Sequence, residues 1–170
     1  MGHGSTIQTT ARPAPILMPH STRNLDVPAA RLPHARLLVV DDDQLIRELH
    51  ARVLIVAGYE VETAEDGVDA LERLADEPFD LVVTDNYMPR LSGSNIALTL
   101  RSAGSRIPVV MVSGSLATTP LPAGVAREVF AALRKPARSA EVVSAVALAL
   151  SSSAQAGGHR SIRRLQYLEA

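Results

Sequence analysis

Apolar runs of strand length alternate with segments of helical periodicity through the middle of this 170-residue chain. This alternation is typical of parallel strands joined by helices, because a parallel connection must cross over the sheet before the next strand begins. It predicts an α/β fold with five strands and at least four helices between about residues 36 and 150. The predicted strands are Leu37–Val40, Tyr59–Ala64, Leu81–Thr84, Ile107–Val112 and Val129–Leu133.

Apolar positions three and four residues apart predict the helices, and Ser139 stands where a side chain would cap the last one. The connection between the fourth and fifth strands is different, because Pro120, Pro122 and Gly124 interrupt it. A proline inside a helix costs about 3 kcal/mol, so we expect the fourth helix to be short or displaced. The predicted helical faces lie within Ile46–Val53, Val68–Ala75, Ile96–Ala103 and Val142–Leu150.

The charge is divided unevenly along the chain. Residues 1–36 sum to +3 and residues 151–170 to +2, so the total of -1 leaves -6 on the residues between them. The first segment also holds five prolines and few apolar clusters, so it cannot easily bury enough surface to offset its ordering entropy. We therefore expect a flexible Pro-rich basic arm over residues 1–35, a domain over 36–150, and a flexible Ser/Gly linker with a basic tail over 151–170.

Composition excludes several classes of function. The chain has no cysteine, which rules out a disulfide framework, a Cys-ligated metal site and a thiol nucleophile. A net charge of -1 argues against nucleic acid as the main ligand. No apolar stretch approaches the roughly 18 residues of a membrane span, and the N-terminus lacks a secretory signal pattern. We expect a cytoplasmic protein without membrane insertion.

Acidic residues follow two of the predicted strands. Asp41, Asp42 and Asp43 come directly after the first strand, and Asp85 follows the third. Ligands of open parallel sheets bind beyond the carboxyl ends of the strands, so we expect these acids to converge if the two strands are neighbours. Clustered carboxylates need a cation, and oxygen ligands alone suit Mg²⁺. The alternative is that Asp43 merely caps the next helix while the others are solvated turn residues.

Two more chemical groups follow the fourth and fifth strands. Ser113 ends one strand, and Lys135, the single lysine beside sixteen arginines, ends the other. A compact ammonium and a hydroxyl suit the oxygens of a phosphoryl group, although each residue alone could be an ordinary loop residue. With an Asp nucleophile and a metal held by the other carboxylates, the set predicts phosphoryl transfer through a covalent aspartyl phosphate.

The chain resembles the receiver domain of bacterial two-component response regulators, in the stand-alone form of the chemotaxis regulators. The resemblance covers about residues 36–150 and implies a doubly wound, flavodoxin-like sheet of five parallel strands in the order 2-1-3-4-5, with helices on both faces. It is carried by the segments LLVVDDD, AGYEVETAEDGVDAL, FDLVVTDNYMPRLSG, IPVVMVSG and LRKP, in that order.

This resemblance implies a role for each site residue. Asp85 would be the phosphoacceptor, and Asp41 and Asp42 the acidic pair. Asp42 would bind Mg²⁺ directly, together with Asp85 and the backbone carbonyl of Tyr87. Ser113 and Lys135 would be the switch hydroxyl and the phosphate-sensing lysine, and the Lys135–Pro136 bond would be cis.

Two departures from the family pattern concern the output of the signal. Ala132 stands where the family has a switch aromatic, and strand alternation would put Phe130 on the same face as Ala132. The interrupted fourth helix belongs to the usual signalling face. These changes leave the phosphorylation chemistry intact and alter the output route.

The resulting hypothesis is a single-domain response regulator, not an enzyme beyond its own phosphorylation and autodephosphorylation. Its donor would be a histidine kinase or a histidine phosphotransfer protein, and it would act on an unknown downstream protein, with a homodimer as one option. One alternative is a receiver fold that serves as a binding module without phosphorylation. Another is a Mg²⁺ phosphatase of the haloacid-dehalogenase type, which requires an acidic pair after its lysine, whereas only Glu141 and Glu169 follow Lys135.

Overall fold

The computed structural model of the chain describes residues 35–117 and 119–155, and the backbone of residues 16–17. Five of its strands match the predicted ones to within two residues at each end. They are β1 (Arg36–Val40), β2 (Glu60–Ala64), β3 (Leu81–Thr84), β4 (Val109–Ser113) and β5 (Ala131–Arg134). The helices are α1 (Gln44–Val56), α2 (Gly67–Asp76), α3 (Gly93–Ser102), α4 (Ala123–Ala126) and α5 (Ser139–Gln155), with a 3₁₀ turn at Ser115–Ala117.

The five strands form a parallel sheet in the order β2-β1-β3-β4-β5, which confirms the prediction. In register, Val40 at the end of β1 lies between Ala64 of β2 and Thr84 of β3. A sixth strand of two residues, Ile16–Leu17, pairs in parallel with Ala131–Ala132 on the outer edge of β5. This short strand falls within the predicted arm. Ala35, the last residue of the predicted arm, is buried in the cluster that includes Leu37. The other residues of the arm, and the predicted tail beyond residue 155, lie outside the described residues.

Side chains from alternate positions of each strand pack on opposite faces of the sheet. Leu38 and Val40 belong to the core cluster that includes residues of α2, α3 and α4. Their neighbours Leu37 and Val39 belong to the cluster that includes residues of α1 and α5. All four side chains are at most 1% exposed. A sheet that helices cover on both faces requires such continuous apolar strands, which explains why the strands were predictable from sequence.

The connection between β4 and β5 contains only short helical pieces, as predicted. The 3₁₀ turn is followed by α4, a single turn of four residues. Pro122 stands at its N-cap position and makes no side-chain capping bond. Since Pro120 and Pro122 offer no backbone N–H, helical hydrogen bonding cannot extend through this segment.

Two expectations about α5 are wrong. Ser139 is the first helical residue instead of the cap, and the side chain of Glu141 accepts a hydrogen bond from the Arg138 amide at 2.9 Å. The helix also continues into the predicted linker, through residues 151–153, and ends at Gln155. Ser153 donates its hydroxyl to the Ala149 carbonyl at 3.0 Å, so this serine is accommodated within the helical backbone.

No helix within the described ranges has both the length and the apolar character that crossing a membrane requires.

Candidate functional site

The carboxyl ends of β1 and β3 place two acidic residues side by side. Asp41 follows β1 and its amide donates to the Ala64 carbonyl at 3.3 Å; Asp85 follows β3 and its amide donates to the Val40 carbonyl at 2.9 Å. Backbone hydrogen bonding between neighbouring strands therefore extends to both residues. Asp41 is 2% exposed and Asp85 is 9% exposed. The sheet itself thus determines where these two buried carboxylates lie.

Asp42 completes an acidic cluster with them. One carboxylate oxygen from each of Asp41, Asp42 and Asp85 lies within 4.8 Å of the other two. Asp42 is exposed, so its oxygens are accessible to an incoming cation. Asp43 is not part of this set, because its side chain caps α1 by accepting from the Leu45 and Ile46 amides at 2.9 and 3.2 Å. The structure therefore supports the capping alternative for Asp43 but not the alternative of isolated, solvated acids for the others.

Lys135 lies between the two buried carboxylates. It follows β5, and its Nζ donates to Asp41 Oδ2 at 2.8 Å and to Asp85 Oδ2 at 2.7 Å. Burial opposes the charge of the ammonium, but the hydrogen bonds to both carboxylates outweigh burial, and the pKa of Lys135 is raised. Burial also raises the pKa of Asp41, against the opposing effect of Lys135. The positive charge of Lys135 thus offsets part of the negative charge of the three carboxylates, Asp41, Asp42 and Asp85.

The donor set fits Mg²⁺. Three carboxylates and one ammonium leave a net negative charge, and hard oxygen ligands are what this cation prefers. In Asp41, Oδ1 accepts from the Asp43 amide at 3.0 Å and Oδ2 accepts from Lys135, so both oxygens already have partners. Asp42 is the more open carboxylate. Tyr87 lies next to the cluster through its backbone, because its amide donates to Asp85 Oδ1 at 3.3 Å.

Ser113 lies at the same edge of the sheet, at the end of β4. Its carbonyl accepts from the Lys135 amide at 3.1 Å, which joins the backbones of these two residues directly. Its side chain is buried, and its Oγ lies 3.3 Å from Ser115 Oγ in the 3₁₀ turn. All the predicted site residues therefore meet at one edge of the sheet.

The expected relation between Phe130 and Ala132 is wrong. Ala132 packs in the cluster on the α2, α3 and α4 side of the sheet, whereas Phe130 packs against the cluster on the α1 and α5 side. Phe130 precedes β5, so the alternation of a regular strand does not extend to it. Phe130 therefore does not replace the switch aromatic that the family has at the position of Ala132.

Several supporting residues escaped the sequence interpretation. Arg47 donates to the Asp41 carbonyl at 2.5 Å, and Thr84 donates its hydroxyl to the Asp85 carbonyl at 2.7 Å. The side-chain oxygen of Asn86 accepts from the Ser94 amide at 3.0 Å, so the residue after Asp85 binds the first turn of α3. The Arg47 and Asn86 contacts join residues six and eight positions apart, and the Thr84 contact joins adjacent residues, so none of them follows the periodicity from which the sequence was interpreted.

Comparisons with known proteins agree with this geometry. Residues 37–147 match the response regulator receiver domain family. Response regulator MprA from Mycobacterium sp. strain KMS is 46% identical over 78 residues, which are 46% of this chain and 34% of the relative. MprA from Mycobacterium avium strain 104 is 45% identical over the same length. The matched part of the chain thus spans about a third of the length of these curated relatives.

Solved structures give the same result. The receiver domain of Francisella response regulator 1452 has a TM-score of 0.66 and 26% identity, covering 71% of this chain and 99% of that one. The chemotaxis response regulator CheY4 of Vibrio cholerae has a TM-score of 0.62 and 30% identity, covering 69% of this chain and 100% of that one. With two buried aspartates bridged by a lysine at the carboxyl edge of a parallel sheet, the chain belongs to the response regulator receiver domain family.

Proposed function

We propose that this protein accepts a phosphoryl group on Asp85 from a histidine kinase or a histidine phosphotransfer protein, in a Mg²⁺-dependent reaction, and then signals by protein–protein contact. Receiver domains are phosphoacceptor signalling domains that bind Mg²⁺ at an acidic pocket, and response regulators receive phosphate from histidine kinases. The observation that carries the proposal is the contact of Lys135 Nζ with both Asp41 and Asp85.

In the proposed reaction, a carboxylate oxygen of Asp85 forms a bond to phosphorus while the bond from phosphorus to the donor nitrogen breaks. The electron pair of that bond goes to the departing imidazole. The backbone amides of Asn86 and Tyr87 both donate to Asp85 Oδ1, which holds the carboxylate in a defined orientation. Mg²⁺, held by Asp42, Asp85 and the Tyr87 carbonyl, would supply positive charge to the phosphoryl oxygens.

Lys135 and Ser113 would stabilise the product. The ammonium of Lys135 already contacts Asp85, so it is close enough to pair with a phosphoryl oxygen on that residue. The hydroxyl of Ser113 can turn from Ser115 and donate to a second oxygen. In this proposal the protein converts no separate substrate. Its only reactions are its own phosphorylation and the later loss of its own phosphoryl group.

A second candidate function is an interaction module that works without phosphorylation. Two observations favour it: Ala132, which pairs with Met111 of β4, stands where the family has its switch aromatic, and α4 has only one turn. The family assignment, in contrast, leaves no support for the phosphatase of the haloacid-dehalogenase type. In this proposal the protein meets its phosphoryl donor in the cytoplasm.

Phosphorylation by a small donor separates the two candidates. The protein is incubated with Mg²⁺ and acetyl phosphate or phosphoramidate, and its intact mass is compared with those of Asp85→Asn and Asp76→Asn. We expect a gain of about 80 Da in the unmodified protein and in Asp76→Asn, an exposed acid at the end of α2, and none in Asp85→Asn.

Absence of the adduct would count against the proposal. A second test measures whether the phosphoryl analogue beryllofluoride changes the fluorescence of the protein. The chain has no tryptophan, so tyrosine fluorescence provides the signal. No adduct and no fluorescence change would favour the interaction module. If the adduct does form, light scattering of the phosphorylated protein shows whether modification produces a homodimer.

A further inference from the structure

Side-chain contacts of Asn86 and Arg90 attach the loop between Asp85 and α3 to its neighbouring helices. At its start, Asn86 Oδ1 accepts from the amide and the hydroxyl of Ser94 in the first turn of α3. Further along, Arg90 contacts Asp66, which stands at the beginning of α2. Tyr87, whose carbonyl is the proposed backbone ligand, lies between these two attachment points.

Arg90 has an unusual backbone conformation. Its φ of 62° makes it the single non-glycine residue with positive φ in the described part of the chain. This left-handed conformation is unfavourable for a residue with a Cβ, so the surrounding contacts must stabilise it. Both Nε and Nη2 of Arg90 contact Asp66 Oδ2, and Nη2 lies 3.6 Å from Glu65 Oε1. The guanidinium therefore contributes to holding the loop in this conformation.

The Asp66 side chain is itself positioned by hydrogen bonds to the first turn of α2. Its other oxygen, Oδ1, caps α2 by accepting from the amides of Val68 and Asp69 at 2.8 and 3.1 Å. The Asp66 side chain is only 8% exposed, whereas that of Arg90 is 52% exposed. Asp66 is thus a buried, hydrogen-bonded partner for the more exposed arginine.

Close packing next to the ion pair brings the loop and α2 together. A Cβ on Gly67 would lie 2.4 Å from the Leu91 carbonyl oxygen, so the two backbones meet where only glycine fits. The ion pair and this contact involve neighbouring residues on both segments. The loop therefore rests on the first turn of α2.

We propose that Arg90 is a positioning residue for the phosphorylation site, and that its ion pair with Asp66 holds the loop so that Tyr87 stays against Asp85. This inference rests on the proposed function, because it concerns the same Mg²⁺ site. Tyr87 is 66% exposed, so its side chain contributes little packing and neighbouring residues must hold the loop backbone. Loss of the ion pair should weaken the binding of Mg²⁺.

The test replaces Arg90 by two residues that tolerate positive φ, Arg90→Gly and Arg90→Asn. Binding of MgCl₂ is measured by tyrosine fluorescence and by calorimetry, without a phosphoryl donor. We expect the Kd for Mg²⁺ to rise about 10-fold in both variants, the low end of what loss of an outer-shell partner costs. Arg90→Lys should recover part of the affinity. Arg106→Gly, at an exposed loop position before β4, is the control for charge and should leave the Kd unchanged.

A second variant tests the pairing itself. Asp66→Asn keeps an oxygen that can cap α2 but lacks the charge that attracts Arg90. If the two residues act through one ion pair, Asp66→Asn should raise the Kd about as much as Arg90→Asn, and the double variant should be no worse than either. Additive effects would mean independent roles and would overturn the inference.

Two other outcomes are distinguishable. An unchanged Kd in Arg90→Gly and Arg90→Asn, with normal binding by the unmodified protein, would overturn the role of Arg90 while leaving the proposed function intact. Failure of the unmodified protein to bind Mg²⁺ at all would overturn the proposed function, and this inference with it.

Discussion

Lys135 donates hydrogen bonds to Asp41 at 2.8 Å and to Asp85 at 2.7 Å, although 94 and 50 residues separate it from these partners. The two carboxylates follow strands β1 and β3, which are neighbours in the sheet, and the lysine follows β5. The ammonium thus offsets negative charge at the place where Mg²⁺ would bind. It competes with the metal for the same carboxylates and would pair with the phosphoryl group after transfer.

Replacing Lys135 by methionine should therefore have opposite effects on two measurements. Without the competing cation, the Kd for Mg²⁺ should fall about 3- to 10-fold, equivalent to about 0.7–1.4 kcal/mol. Phosphorylation of Asp85 by acetyl phosphate should slow about 100-fold or more, because a charge-stabilising donor is lost. Calorimetry with MgCl₂ and time-resolved intact mass provide the two values. Arg138→Gln, at an exposed site, is the control, and a Kd that rises would contradict the argument.

Removing the hydroxyl of Ser113 should abolish the response of the 3₁₀ turn to a phosphoryl analogue, while the free energy of unfolding falls only slightly. In this structure the hydroxyl lies 3.3 Å from Ser115 Oγ, at the start of the 3₁₀ turn. If it turns to a phosphoryl group, that contact is lost and the turn should exchange its amide hydrogens faster. We expect this change on adding beryllofluoride to the unmodified protein, but not to Ser113→Ala. The free energy of unfolding of Ser113→Ala should fall by only about 1 kcal/mol. Equal exchange changes in both proteins would refute the coupling.

Two glycine substitutions should have opposite effects on stability. A Cβ on Gly93 would lie 2.1 Å from the Asp85 carbonyl oxygen, a backbone atom that cannot move without displacing the site. Gly93→Ala should therefore lower the free energy of unfolding by about 2–3 kcal/mol. At Gly124 in α4 no atom outside its chain neighbours and the backbone of its own helix lies within 4 Å of the added Cβ, so Gly124→Ala should raise the free energy of unfolding by about 0.5 kcal/mol. Urea unfolding measures both changes in the free energy of unfolding. If Gly93→Ala is as stable as the unmodified protein, the loop between β3 and α3 can shift to accommodate the added Cβ.

His50 should make the stability of the metal-free protein depend on pH. It is buried in α1, and burial lowers its pKa below 6.5, against the opposing charge of Asp41. Between the lowered pKa of the folded state and 6.5, the unfolded chain binds more protons than the folded one. Stability should therefore rise with pH through this window and level off above it, with a slope of at most about 1.4 kcal/mol per pH unit.

Urea unfolding across about pH 5 to 8 provides the measurement, with His50→Gln as the comparison. His50→Gln should be less stable at every pH, because the substitution changes a buried side chain. The informative quantity is therefore the change in its free energy of unfolding per pH unit. The slope should decrease in His50→Gln relative to the unmodified protein. An identical slope in both proteins would show that His50 does not contribute to the pH dependence.

The sequence by itself determined the fold and the chemistry of the site. Strands such as Leu81–Thr84 are continuous apolar runs because helices cover the sheet on both faces, and that demand is visible in a local stretch of residues. The acids after β1 and β3, and the serine and lysine after β4 and β5, all stand at strand ends. Parallel strands bring their carboxyl ends to one edge, and the strand order that the resemblance to receiver domains implies makes the first and third strands neighbours, which places these groups together.

The tertiary structure alone decided the contacts among side chains. The separate packing of Phe130 and Ala132, the continuation of α5 past Leu150 and the ion pair of Arg90 with Asp66 were not predicted. Each depends on where a particular backbone bends and on which element lies against it. Periodicity describes a residue relative to its own helix or strand, so it gives neither the partner of Arg90 on another element, nor the side of the sheet on which Phe130 packs before β5 begins, nor the residue at which α5 ends.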